Sequence, residues 1–189
     1  LAVGDYEGAY GAFKKLLEIA PDDPEAQLGL KRAERQQTLA QGYAAAEAAI
    51  AEENWDKARV EIKNVLQIDP KSAEAYYLLG QVEEKKQEWA KAFGNYSKAV
   101  ELDPELIDAR ARLAQFYMLQ ANAYKAQEQR DGEAKALGQA QTEIDEILKR
   151  DAKHSGARAL RASMLLREGK SDEALALVET VVKEDPAHG

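Results

Sequence analysis

The chain has 189 residues, a formal net charge of −8, no cysteine and two histidines, His154 and His188. These numbers exclude a disulfide framework and a cysteine zinc site, leave little for a histidine centre, and speak against a general nucleic-acid binder, which needs positive surface to meet phosphates. Alanine, with 35 residues, leads a composition rich in Leu, Glu, Lys and Gln, all strong helix formers, and β-branched residues are too sparse for a mainly β protein.

Residues 1–23 read as a lone second helix of a hairpin, with Ala9, Phe13 and Leu16 at packing positions before Pro21. Residues 24–52 hold no proline after Pro24 and predict one long helix, with Asp23 and Pro24 as N-cap and first-turn pair and Gly42 as the point of interruption. Its partner helix carries Ala58, Ile62 and Val65 and ends at Pro70. In residues 73–106, Ser72 N-caps a helix bearing Tyr76, Leu79, Gly80 and Val82. The polar run Glu83 to Glu88 reads as a solvated helix end and a turn. A second helix follows with Trp89, Ala92, Phe93, Tyr96, Ala99 and Val100, three or four apart, and Pro104 stops it. Residues 107–154 repeat the scheme with Leu113, Ala114 and Tyr117, then Ala140, Ile144 and Ile147. Gln120 to Ala134 is expected to lengthen both helices, with Asp131-Gly132 as the turn signal. Residues 155–188 bring Ala162, Leu165, Ala174, Val178, Val181 and Pro186, with Ser155 expected as N-cap.

The loop positions Pro21, Pro70, Pro104, Ala152 and Pro186 stand 49, 34, 48 and 34 residues apart. A period of 34 is that of a two-helix solenoid unit, too small to fold alone and obliged to bury a face on its neighbours. The units 24–72 and 107–154 run 15 and 14 residues over that period.

With Tyr76, Leu79, Gly80, Ala92, Tyr96, Ala99 and Pro104 in place, the sequence resembles the tetratricopeptide repeat (TPR) family, and the resemblance covers essentially the whole chain. Glu83 stands where the family often has Tyr. The resemblance implies an all-α solenoid of helix–turn–helix units, superhelical, over residues 1–189: a partial repeat at 1–23, elongated repeats at 24–72 and 107–154, and regular repeats at 73–106 and 155–188. It implies a scaffold that offers a concave groove to a peptide or helix of a partner protein. The phrasing around Ile62-Lys63-Asn64 and Leu78-Leu79-Gly80 is similar to bacterial multi-repeat members of envelope and exopolysaccharide export systems.

In that frame Tyr77, Gln81, Arg112, Gln115, Ser163 and Arg167 fall on the groove side of the first helices and are the candidate partner-binding residues. Of the family's two-carboxylate clamp only Arg112 finds a match. Arg110, Arg112, Lys149, Arg150, Lys153, Arg158 and Arg161 make the C-terminal half locally basic, which suits an acidic peptide or an anionic polymer; equally, Arg110, Arg158 and Arg161 are expected along packing surface, paired with Asp108, Asp145 or Glu146. The packing positions Phe13, Tyr76, Trp89, Tyr96 and Tyr117 are expected in the core. No catalytic residue, cofactor or metal ligand is expected. His154-Ser155 is the one adjacent base and hydroxyl, and none of the common phosphate, zinc or serine-hydrolase motifs occurs. No apolar run approaches the roughly 20 residues of a membrane span. The start at Leu1 rather than Met suggests a processed or truncated N-terminus, and periplasmic and cytoplasmic locations both stay open. Two alternatives stand beside the groove: self-association through uncapped ends, which would make a homo-oligomer, and service as an accessory module of a larger envelope, secretion or polysaccharide-export protein.

Overall fold

A computed structural model describes residues 6–184, so the expected Pro186 loop and His188 lie outside the described residues. The described residues form nine α-helices and no strand: α1 (Tyr6–Ile19), α2 (Pro24–Ala51), α3 (Trp55–Ile68), α4 (Ala73–Lys85), α5 (Trp89–Leu102), α6 (Ile107–Ala126), α7 (Arg130–Arg150), α8 (Ser155–Arg167) and α9 (Ser171–Glu184). This is the all-α repeat architecture read from the proline spacing. The chain divides into two compact units between Ala92 and Phe93, inside α5.

Local chemistry repeats from hairpin to hairpin. After α2, α4, α6 and α8 the backbone enters the left-handed region at Glu53 (φ 54°), Gln87 (60°), Glu128 (57°) and Gly169 (78°). At each turn two bonds close the helix end: Glu53 N donates to Ile50 O and Asn54 N to Ala49 O, and the same pair recurs at Gln87–Glu88, Glu128–Gln129 and Gly169–Lys170. These are Schellman turns, which satisfy carbonyls that a helix end leaves open. Between hairpins an aspartate organises the loop. Asp69, Asp103 and Asp151 each accept, through Oδ1, the amide two residues on, at 3.3, 2.9 and 2.9 Å. Ala152 thus sits in the same turn as Pro70 and Pro104.

In the first unit, α2 has 28 residues against 14 in its partner α3. Asp23 caps it, accepting from Glu25 N and Ala26 N at 2.9 Å each, and Pro24 opens it. The helix does not break at Gly42. A side chain there would lie 2.7 Å from Val65 Cγ2, so the glycine admits α3 rather than ending α2. Gly29 does the same for α1, where a Cβ would meet the Phe13 ring at 2.4 Å. Thus α2 packs on α1 with its N-terminal half and on α3 with its C-terminal half. Ala46, Ala49, Ala58, Ile62, Val65, Ala75, Leu79 and Val82 form the buried core. Ser72 caps α4 as expected, accepting from Ala75 N at 3.1 Å, and its hydroxyl also bonds Tyr43 Oη of α2. Burial holds the Tyr43 hydroxyl above its usual pKa.

Two further expectations fail here. Glu83 is not part of a solvated end. It is 3% exposed and takes the Arg59 guanidinium of α3 at 2.5 Å, filling a family aromatic position with an ion pair. Trp89 is not core. As the first residue of α5 it is 53% exposed, one turn ahead of the buried Ala92.

In the second unit, α6 and α7 have 20 and 21 residues where α8 and α9 have 13 and 14, seven more in each. The added residues are 120–126 and 130–136, close to the expected stretch, but the turn lies at 127–129 and Asp131-Gly132 is already helical. Glycine there serves packing, since a Cβ on Gly132 would lie 2.8 Å from the Tyr124 ring. Ala114, Met118, Ala140, Ile144 and Met164 make the main core, and Ala162, Leu165 and Ala174 a smaller one. Burial of each large core side chain such as Tyr96 or Ile144 contributes roughly 1.5–3 kcal/mol. The N-cap of α8 is His154 rather than Ser155: its Nδ1 accepts from Ala157 N at 3.0 Å. Arg110 and Arg158 are buried, as expected of packing residues, but pair with Glu143 (2.6 Å) and Glu184 (2.5 Å); Arg161 does meet Asp145, at 3.7 Å.

Candidate functional site

The six candidate residues lie on α4, α6 and α8, each the first helix of a hairpin. In the first unit Tyr77 and Gln81 are one turn apart on α4 and half-buried, and Gln81 Nε2 donates to Tyr77 Oη at 2.8 Å. In the second unit Arg112 Nη1 donates to Gln115 Oε1 at 3.3 Å on α6. The helix α8 packs on α6 as well as on α7, so the first helices of this unit run side by side. Ser163 is exposed, and its hydroxyl donates back to Ala159 O at 3.0 Å. Arg167 is turned toward α7, with Nη1 3.4 Å from Glu133 Oε1. The structure therefore makes two local pairs, Tyr77 with Gln81 and Arg112 with Gln115, and commits Ser163 and Arg167 to other partners.

Electrostatics tie the hairpins rather than open a reactive centre. Arg150 grips Glu105 with Nε and Nη2, both at 2.7 Å, and also meets Glu146. That grip holds the Glu105 and Glu146 carboxyls below the usual range. Among the described residues no group of three His, Asp or Glu side chains is placed to hold a metal ion, and no helix is long and apolar enough to cross a membrane.

The sequence reading passes over a cleft of about 250 Å³ on the elongated hairpin, lined by Phe93, Tyr117, Gln120, Tyr124, Gly132, Lys135, Ala136 and Gln139. Five of these belong to the added residues of α6 and α7. Phe93 and Tyr117 pack edge to face, with ring centroids 5.4 Å apart at 79°. Burial raises the Tyr117 hydroxyl, and the Glu143 carboxylate raises it further. One signal for the cleft was in the sequence: Gly132 and Ala136, small and one turn apart, line it together with Tyr117 and Tyr124 of the opposite helix.

A model of the tetratricopeptide repeat matches residues 43–107 and 118–188. No curated protein matches in sequence. Among solved structures, that of MamA is 20% identical, with 97% of this chain and 90% of that chain covered at a TM-score of 0.53. That of YrrB, described as a TPR protein with an unusual peptide-binding site, is 21% identical over 95% and 86% at a TM-score of 0.55. At these identities the likeness is one of fold. With the repeat turns, the proline-slot loops and the family match in agreement, the chain belongs to the tetratricopeptide repeat family and is an α-solenoid scaffold for protein–protein interaction.

Proposed function

We propose that the first-helix faces of α4, α6 and α8 receive a peptide or helix of a partner protein, with Tyr77, Gln81, Arg112, Gln115, Ser163 and Arg167 as the contact set. The observation that supports this best is the pairing of Tyr77 with Gln81 and of Arg112 with Gln115, which orients an aromatic and a cationic donor on first helices. Tyrosine and arginine are the residue types that carry interface energy. The peptide-binding site named for YrrB, a protein of like fold, is consistent with this reading. The test is a crosslinking pull-down from source cells with the chain and its Tyr77→Ala/Arg112→Glu variant. Capture by the first and loss by the second supports the groove. Equal capture by both sinks it.

A second reading, assembly by self-association, is favoured by apolar side chains left open at both terminal helices. Leu16 (42%) and Ile19 (84%) on α1, and Leu175 (60%), Val178 (43%) and Val182 (44%) on α9, are exposed. Under this reading the chain is an oligomer in sedimentation velocity, and Phe13→Glu or Val178→Glu dissociates it. Either mode suits an accessory module of a larger envelope or polysaccharide-export protein, the subtype that the wording of residues 62–82 resembles.

A further inference from the structure

The cleft on the elongated hairpin has a chemistry of its own. Its walls are aromatic: Tyr117 packed edge to face on Phe93, and Tyr124 against the bare backbone of Gly132. Besides the tyrosine hydroxyls, its polar groups are the Gln120 and Gln139 amides and the Lys135 ammonium, and none of these three has a hydrogen-bond or ion-pair partner among the described residues. Lys135 is the one charged lining residue. Two of the nearby carboxylates are engaged elsewhere: Glu133 is held by Arg167 at 3.4 Å, and Glu143 by Arg110 at 2.6 Å. Asp131, one turn earlier on α7, makes no ion pair with Lys135. In a chain of net charge −8 this leaves, beside an aromatic recess, a cation that makes no ion pair. The volume, about 250 Å³, lies below the roughly 300–1,000 Å³ of clefts that enclose drug-sized molecules and suits one large side chain with its neighbours.

We infer that this cleft is a second docking site, which seats an aromatic side chain of an acidic peptide segment on a partner protein. The ring stacks among Phe93, Tyr117 and Tyr124, the flanking carboxylate meets Lys135, and the two amides bond the peptide backbone. An aromatic residue next to an acid suits the rings, the two amides and the ammonium at once; a basic segment would leave Lys135 facing a like charge. The inference rests on the chain being an interaction scaffold and not on the first-helix faces. The seven-residue extension of each helix supplies Gln120, Tyr124, Gly132, Lys135 and Ala136, so a regular repeat would not have the site.

The test is amide-shift NMR of the full chain titrated with acetyl-Asp-Trp-Glu-amide, with acetyl-Lys-Trp-Lys-amide and acetyl-Asp-Ala-Glu-amide as comparison peptides. Expected are shifts centred on Gln120, Tyr124, Lys135 and Gln139, and binding at least tenfold weaker for each comparison peptide. Lys135→Glu, at an exposed position, should reverse the charge preference with an unchanged melting curve. Tyr124→Ala should erase the preference for Trp over Ala but keep that for acid over base. The Tyr77→Ala/Arg112→Glu variant should bind the acidic peptide as the parent chain does, which separates failure of this site from failure of the first-helix reading. Shifts scattered over the surface or centred on α4 or α8, no saturation, or an unchanged order of peptides in Lys135→Glu would overturn the inference.

Discussion

Arg59 Nη2 on α3 lies 2.5 Å from Glu83 Oε2 on α4, and the same nitrogen lies 2.5 Å from Glu88 Oε1 in the turn beyond. One guanidinium thus ties two helices and a turn where the family often places an aromatic ring. Removing one partner strands the other in a buried place. Glu83→Ala is expected to cost about 2–3 kcal/mol, toward the low side for a buried pair because Arg59 keeps Glu88. Replacing both, Arg59→Met with Glu83→Leu, should return stability to within about 1 kcal/mol of the parent. Urea unfolding of the three variants measures the coupling.

The same group sets a pH dependence. Lys91 first, and Arg59 with it, bring the Glu88 carboxyl down to about 2. Asp56 is lowered by Lys86, Glu184 by Arg158 and Glu168 by Lys170. A carboxyl with a folded pKa below its unfolded value contributes stability that is complete above the unfolded pKa and lost as pH falls through the folded one. Stability should therefore be level above about pH 5 and decline from about pH 4.5 toward 2. Urea midpoints at pH 7, 4 and 3 check this, and Glu88→Gln should make the decline shallower.

Ala152 stands in a loop built for proline. The preceding Asp151 has φ −131° and ψ 90°, nearly the −126° and 85° of Asp69 before Pro70, and this extended geometry is what a following proline demands. Ala152→Pro should stabilise the chain by roughly 0.4–1 kcal/mol through the unfolded state. A fall in melting temperature would show that this loop differs from its relatives.

Gly169 is the one glycine among the four left-handed turn residues. A Cβ there meets nothing within 4 Å, so Gly169→Ala should cost about 1 kcal/mol from backbone conformation alone. Glu128→Gly, at the matching turn, should shift stability the opposite way. Thermal melts of the two variants side by side decide it.

Gly42→Ala should be destabilising by about 1–3 kcal/mol despite alanine's better helix propensity, because the new methyl strikes the buried, stiff Val65. In a Val65→Ala background the same change should be neutral or favourable, and the double-mutant cycle reads the contact directly.

The repeats were legible because loops carry strong local chemistry. An aspartate followed by proline fixes both a turn and a helix end, and apolar residues three or four apart fix a buried face. Helix interiors were less so. Glu83 sits in a run of charges, and only its distance from Arg59, 24 positions back, shows that it is paired inside. Gly42 and Gly132 look like breaks, since sequence alone does not distinguish a glycine that bends a helix from one that lets a neighbour approach. The turn at Glu128 has no glycine to announce it. The cleft stayed hidden because Lys135 and Gln139 read as ordinary solvent-facing residues until Tyr117 and Tyr124 were seen opposite them.

The two long hairpins differ in kind. Seven residues advance an α-helix by about 700°, some 20° short of two full turns, and lift its end by about 10 Å. Because α6 and α7 each gain seven, their facing seams stay nearly in phase and the Schellman turn is carried outward almost unrotated. The arm from 120 to 136 is thus a matched heptad insertion, removable as a pair of segments but not as one. In α2 the excess has no counterpart in α3, and α1 takes it up instead. An excess of 14 residues is a matched arm in one place, and one of 15 is a splice between neighbours in the other.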